Sequence, residues 1–128
     1  MGFPFELVSP ERVLFSGEAT EVVVPAAEGE VTVLAGHAPF MSAIRAGVVR
    51  IDGNKRLFVR GGFADVSEGG VTLLAEQAVA VEDINAEQVA GDIKNAEEDL
   101  RDAKTDADRA KAADKLAGLK DMLAAVRQ

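Results

Sequence analysis

The sequence predicts an α+β chain, with an antiparallel β-sandwich over residues 1–81 followed by an antiparallel two-helix hairpin over residues 82–128. Three observations carry that prediction. Ten of the twelve glycines, all four prolines and all six phenylalanines fall in the first segment, while the second is rich in alanine and alternating charge. Short apolar alternations in the first segment are broken by turn residues at intervals of about 8–12 positions, the signature of a sandwich or flattened barrel. Apolar residues in the second segment recur every three or four positions, as on one face of a helix. No Ser/Gly-rich linker separates the two, so the boundary near residue 82 is a change in the kind of structure.

Along the first segment, Val13 and Phe15 alternate with Leu14 and Ser16. The run Val22-Val23-Val24 is expected to end at Pro25, and Val31 and Val33 alternate with Thr32. Val49 and Ile51 alternate with Arg50 and Asp52, after which Asp52-Gly53 supplies a hairpin turn where positive φ is cheap. Leu57 and Val59 follow, flanked by Arg56, Phe58 and Arg60, and Glu68-Gly69-Gly70 turns the chain into Val71-Thr72-Leu73-Leu74.

In the second segment, Asn85 followed by Gln88 marks a helix start. Ala86, Val89/Ala90, Ile93, Ala96, Leu100 and Ala103 form its apolar face. Lys104-Thr105-Asp106 interrupts, with Thr105 or Asp106 available to cap a second helix. Its expected stripe is Ala107, Ala110, Ala113, Leu116, Leu119, Leu123 and Val126. Glu97 with Arg101, Asp106 with Arg109 and Asp108 with Lys111 are spaced for surface ion pairs. An alanine seam buries little more than a methyl group per residue, roughly 0.8 kcal/mol each. The hairpin is therefore a candidate moving part.

Composition excludes several classes. Fourteen Lys+Arg against twenty-two Asp+Glu give a net charge of −8 with no basic run, which disfavours nucleic acid and anionic lipid as partners. The absence of cysteine excludes thiolate metal sites, thiol catalysis and disulfides. No apolar run approaches the length of a membrane span. Strand-like alternation starts soon after Met1, so the chain is expected to be complete as it stands, on the cytosolic side, without a signal or transit peptide.

Candidate chemistry is sparse. His37, the only histidine, sits in Gly36-His37-Ala38-Pro39, where it reads either as a general base with Ser42 as nucleophile or as a structural hydrogen-bonder or contact residue. Gly61-Gly62 and Gly69-Gly70 open no helix and precede no Gly-Lys-Ser/Thr, so they read as turn positions and not a phosphate cradle. Asp106-Ala107-Asp108 begins like a calcium loop, but Lys111 and Ala117 occupy the positions that need Gly and Glu. No catalytic residue, metal site or cofactor is expected. Glu28-Gly29-Glu30 reads as an acidic hairpin tip or a polar docking loop.

Phe5-Glu6-Leu7-Val8-Ser9-Pro10-Glu11, Leu14-Phe15-Ser16-Gly17, Glu28-Gly29-Glu30 and Gly36-His37-Ala38-Pro39 occur in an order that resembles the epsilon subunits of bacterial F-type ATP synthases. Ile44 through Gly47, Gly61-Gly62-Phe63 and Val71-Thr72-Leu73-Leu74-Ala75 extend the resemblance across essentially the whole chain. It implies a sandwich of about ten strands and a helical hairpin. It also implies a non-catalytic central-stalk subunit, bound to the gamma subunit and seated on the c-subunit ring at the cytoplasmic face of the inner membrane. In such proteins the β domain couples ring rotation to the catalytic head, and the hairpin of many members extends and inhibits ATP hydrolysis. By resemblance, Glu28, Gly29 and Glu30 face the ring, with His37 close by. Some members bind ATP through Ile-Asp-x-x-Arg-Ala. Here Ile84 is followed by Asn85, with Gln88 and Val89 in place of Arg and Ala, so no nucleotide binding is expected. Arg109, Lys111, Lys115, Lys120 and Arg127 are the candidate regulatory cations, poised to meet the alpha and beta catalytic subunits when the hairpin extends. A small nucleotide-sensing regulator is the alternative reading, and a His37-dependent hydrolase a third.

Overall fold

The computed structural model describes residues 2–127. The chain divides into two compact units, Met1–Val81 and Glu82–Gln128. The first contains eight strands: β1 (Phe3–Val8), β2 (Val13–Ala19), β3 (Glu21–Ala26), β4 (Gly29–Leu34), β5 (Phe40–Ala43), β6 (Gly47–Ile51), β7 (Lys55–Ser67) and β8 (Gly70–Ala80). The second contains helices α1 (Ala86–Asp102) and α2 (Asp106–Val126).

Alternation builds the sandwich core. Phe3, Phe5 and Leu7 of β1 are buried while Pro4 and Glu6 are exposed. They pack with Val22, Val24, Val33, Val49, Ile51, Leu57, Val59, Val66, Val71 and Leu73. Two strands are long enough to serve both layers. The first half of β7 pairs with β6 (Leu57 opposite Val49), and the second half pairs with β5 (Ala64 opposite Ser42). Strand β8 follows β7 along its whole length and pairs with β1 only through Val71–Leu74. The described strands number eight, fewer than the ten that the resemblance implies, because β7 and β8 are single long strands. The β7 turn from layer to layer is at Gly61-Gly62, whose φ values are 75° and 107°. Strands that pass between sheets need such a bend.

Three local readings are corrected. The sheet is not wholly antiparallel, since β1 and β8 run parallel. A bulge between Leu7 and Val8 sets Leu7 opposite Phe15 but Val8 opposite Val13, so Leu14 is the extra residue. Val13 consequently turns outward, while Leu14 and Phe15 both pack on the core. Strand β3 also continues through Pro25. Its pairing with β6 is confined to Val22 and Val23, so the missing N–H breaks no ladder there, and the Pro25 carbonyl accepts from Arg45 N at 2.8 Å.

The β6–β7 hairpin turns at Asp52-Gly53, both with positive φ (53° and 76°). The same carboxylate fastens the β2–β3 junction: Asp52 Oδ1 accepts from Glu21 N (3.0 Å), Thr20 Oγ1 (2.8 Å) and Thr20 N (2.7 Å). Donation from the Glu21 N–H, then from the Thr20 hydroxyl and N–H, holds the Asp52 carboxyl below its ordinary pKa. A depressed carboxyl pKa stabilises the fold above the unfolded-state pKa, and that contribution fades as pH falls through the folded value. Asp52→Asn keeps a favourable Asn-Gly turn but removes the charge. Urea unfolding of this variant is expected to show lower stability at neutral pH and a shallower stability loss below about pH 4. An unchanged acid slope would contradict the assignment.

In the helical unit, Asn85 caps α1 by accepting from Gln88 N (3.1 Å), and Thr105, not Asp106, caps α2 by accepting from Asp108 N (3.0 Å). Val89 and Ala96 are buried on α1, and Ala90 is exposed. The α2 stripe differs from expectation in its first half: Ala107, Ala110 and Ala113 are exposed, and burial begins at Ala112 and continues through Leu116, Leu119, Leu123 and Ala125. Alanine tolerates either face, so its spacing alone does not locate a seam. Asp106 and Arg109 form an exposed ion pair at 2.9 Å.

Candidate functional site

Apolar side chains are concentrated on the outward face of the layer built from β5, β7, β8, β1 and β2. Ala43 lies opposite Phe63, Phe63 opposite Leu74, Leu74 beside Val8, and Val8 opposite Val13. Directly paired residues share a face, so these five form one row across five strands, with Met41 two positions along β5 on the same side. Phe63, Leu74 and Val13 are 58%, 56% and 56% exposed and Met41 is 67% exposed, whereas their chain neighbours Ala64 and Leu73 are fully buried. At its β1–β8 end the row continues into a shallow groove lined by Val8, Pro10, Leu74 and Glu76. A contiguous apolar stripe of this kind is a candidate docking surface.

Sequence reasoning missed the stripe. The available signal was Leu73-Leu74: in an alternating strand one of two consecutive leucines must face out. The cross-strand register that aligns Leu74 with Phe63 and Val8 was not legible, because β1 and β8 meet in parallel across more than sixty residues of chain.

The sequence-predicted residues are not gathered into one site. Glu28, Gly29 and Glu30 form the tip of the β3–β4 hairpin, with Glu28 and Glu30 exposed and Gly29 at φ 138°. His37 lies beyond the other end of β4, its N–H bonded to the Leu34 carbonyl at 3.2 Å. Between Gly29 and Leu34 an extended strand carries the chain about 16 Å, so the structure does not bring His37 to the acidic tip.

His37 works internally. Its Nδ1 faces the Leu34 carbonyl oxygen, its Nε2 faces that of Ser67 at 3.0 Å, and the ring stands edge-on to Phe3. The imidazole thus ties the β4–β5 loop to the β7–β8 turn. Ser42 Oγ donates to the Ala43 carbonyl (2.9 Å) and accepts from Ala27 N (3.3 Å). With both ring nitrogens facing main-chain carbonyls, the histidine–serine pair of the hydrolase reading is not assembled. Among the described residues, no group of three or more His, Asp or Glu side chains is placed to hold a metal ion. The Asn85 side chain is occupied as the helix cap, accepting from the Gln88 N–H, and Gln88, Arg109, Lys111, Lys115, Lys120 and Arg127 are all exposed.

Comparison with known proteins gives these features a family. The ATP synthase Delta/Epsilon chain beta-sandwich domain matches residues 2–81. An ATP synthase epsilon chain of Parvibaculum lavamentivorans is 45% identical over 122 residues, covering 92% of both chains. The chain belongs to the ATP synthase epsilon-chain family. A second epsilon chain, from Mesorhizobium japonicum, is 53% identical over 114 residues, 86% of this chain and 84% of that one. Among solved structures, a chain of the Euglena gracilis mitochondrial ATP synthase, OSCP/F1/c-ring, superposes with a TM-score of 0.81 at 22% identity, covering 98% of this chain and 81% of that one. A chain of the Tetrahymena thermophila mitochondrial ATP synthase central stalk/c-ring gives a TM-score of 0.70 at 12% identity over 98% and 97%. These two show a shared fold over nearly the whole of this chain. No helix among the described residues is long and apolar enough to cross a membrane.

Proposed function

We propose that this chain is a non-catalytic central-stalk subunit of a proton-translocating F-type ATP synthase, coupling rotation of the c-subunit ring to the catalytic head through the gamma subunit. The carrying observation is the outward apolar row Ala43–Phe63–Leu74–Val8–Val13, exposed except for the half-buried Val8, in a chain of the epsilon family. In this reading the stripe docks against gamma, and the Glu28-Gly29-Glu30 tip faces the c-ring. The protein is peripheral at the cytoplasmic face of the bacterial inner membrane and uses no cofactor. Its hairpin regulates hydrolysis through the exposed cations of α2, meeting the alpha and beta subunits when extended. The use of the Asn85 side chain as a helix cap, and the loss of the arginine at Gln88, favour no ATP binding by this chain.

The test is gamma binding by the full chain. Wild type is expected to co-purify with co-expressed gamma, and Phe63→Asp to weaken the complex by about 30-fold or more, the cost of losing a central apolar anchor of about 2 kcal/mol. Undiminished binding by a folded Phe63→Asp chain would remove the stripe from the interface.

A further inference from the structure

The stripe is bordered by a row of acids along one long side and by a single acid, Glu76, on the other. Two residues beyond Leu74 and Phe63, the next row on the same face runs Asp65–Thr72–Glu6–Ser16. Asp65 and Glu6 are exposed in it, and Glu18 is exposed one row further on, opposite Pro4. On the other side Glu76, two residues past Leu74, is exposed, with its carboxylate over Gly61. Two exposed cations border this face: Arg12, beside Val13, lines a groove with Glu76, and Arg45 lies two residues past Ala43. The apolar row thus has Glu6, Asp65 and Glu18 above it and Glu76 below.

Resting on the docking reading above, we infer that the stripe is matched by an apolar segment of gamma flanked on both sides by lysine or arginine side chains. An apolar strip selects little by itself, because any apolar surface of suitable shape can cover it. Acids on both flanks select a partner whose cations are spaced across the same strip, and they repel one carrying acids there. A second copy of this chain would bring the same carboxylates against Glu6 and Asp65, so the frame also opposes self-association through the stripe. Rim charges act mainly on the encounter: they accelerate association and are screened by salt, while the buried apolar contact sets dissociation.

The experiment measures association and dissociation rates of the full-length chain with immobilised gamma between about 0.1 M and 1 M salt, over which the screening length falls from about 10 Å to about 3 Å. Wild type, the triple variant E6Q/D65N/E76Q and Phe63→Asp are compared, each first checked for an unchanged circular dichroism spectrum. The triple variant is expected to associate about tenfold more slowly than wild type at the lower salt, to lose most of the salt dependence, and to dissociate at a similar rate. Phe63→Asp is expected to lose stable binding. If the triple variant matches wild type in rate and salt dependence while Phe63→Asp fails to bind, the cationic frame is overturned and the docking reading stands. If both variants bind as wild type does, the docking reading itself is overturned.

Discussion

Gly62→Ala is expected to destabilise the β unit by about 4 kcal/mol or more, a large share of a domain stability of about 5–15 kcal/mol. A Cβ at residue 62 would lie 1.8 Å from the Leu74 carbonyl oxygen and 2.8 Å from its carbon, both backbone atoms that cannot swing aside. The φ of 107° is a second obstacle, one that an L side chain rarely accepts. The clash cannot be relieved by local movement, because β7 and β8 are paired on both sides of the bend, at Arg60 with Gln77 and at Phe63 with Leu74. Gly69→Ala is the control: nothing lies within 4 Å of its added Cβ and its φ is ordinary, so its cost should stay below about 1 kcal/mol. Denaturant unfolding of the two variants checks the contrast. Similar midpoints would show that the bend at Gly61-Gly62 can be relaxed.

Deleting residues 82–128 is expected to raise ATP hydrolysis by the assembled enzyme about fivefold or more, the low end of coupling energies of about 1–3 kcal/mol, while proton coupling persists. The core cluster of the β unit draws its members from Phe3 to Ala75, so the truncated chain retains what it needs to fold. Within the hairpin the buried positions are few and mostly small, Val89 and Ala96 on α1 and Leu116, Gly118 and Ala125 on α2, with Ile93, Leu100, Leu119 and Leu123 only half-buried. Burial of that size holds a helix pair weakly, which is the basis for expecting it to open. For the proposed regulation its cations must make contacts in one conformation that they do not make in the other, since a ligand or partner without such preference shifts nothing. Arg109 is already engaged by Asp106, but both are exposed and the pair offers little resistance to exchange. Hydrolysis unchanged by the deletion would make the hairpin a bystander and assign inhibition to another subunit.

The chain revealed unequal parts of this account. Strand alternation and helix period are local properties, so the two kinds of structure, the Asp52-Gly53 hairpin and the Asn85 cap could be read from short windows. The Leu14 bulge could not, because only the partner strand decides which of three successive residues, Val13, Leu14 and Phe15, is left unpaired. The parallel β1–β8 pairing was hidden for a similar reason: it joins the first strand to the last. The exposed apolar stripe depends on that pairing. The acidic tip and His37 were conspicuous as residue types, yet their separation by the length of β4 follows from the β3–β4 register. On α2, alanines at helical spacing gave a stripe whose first half faces solvent, because alanine marks neither face.

The central claim is that this chain couples rotation by docking its apolar stripe on the rotor. The most direct measurement is ATP-driven proton pumping by epsilon-depleted ATP synthase in membrane vesicles, restored with the wild-type chain or with Phe63→Asp. Wild type is expected to restore pumping, and folded Phe63→Asp, at the same added concentration, to leave hydrolysis running with little proton uptake. Full restoration by Phe63→Asp would contradict the account.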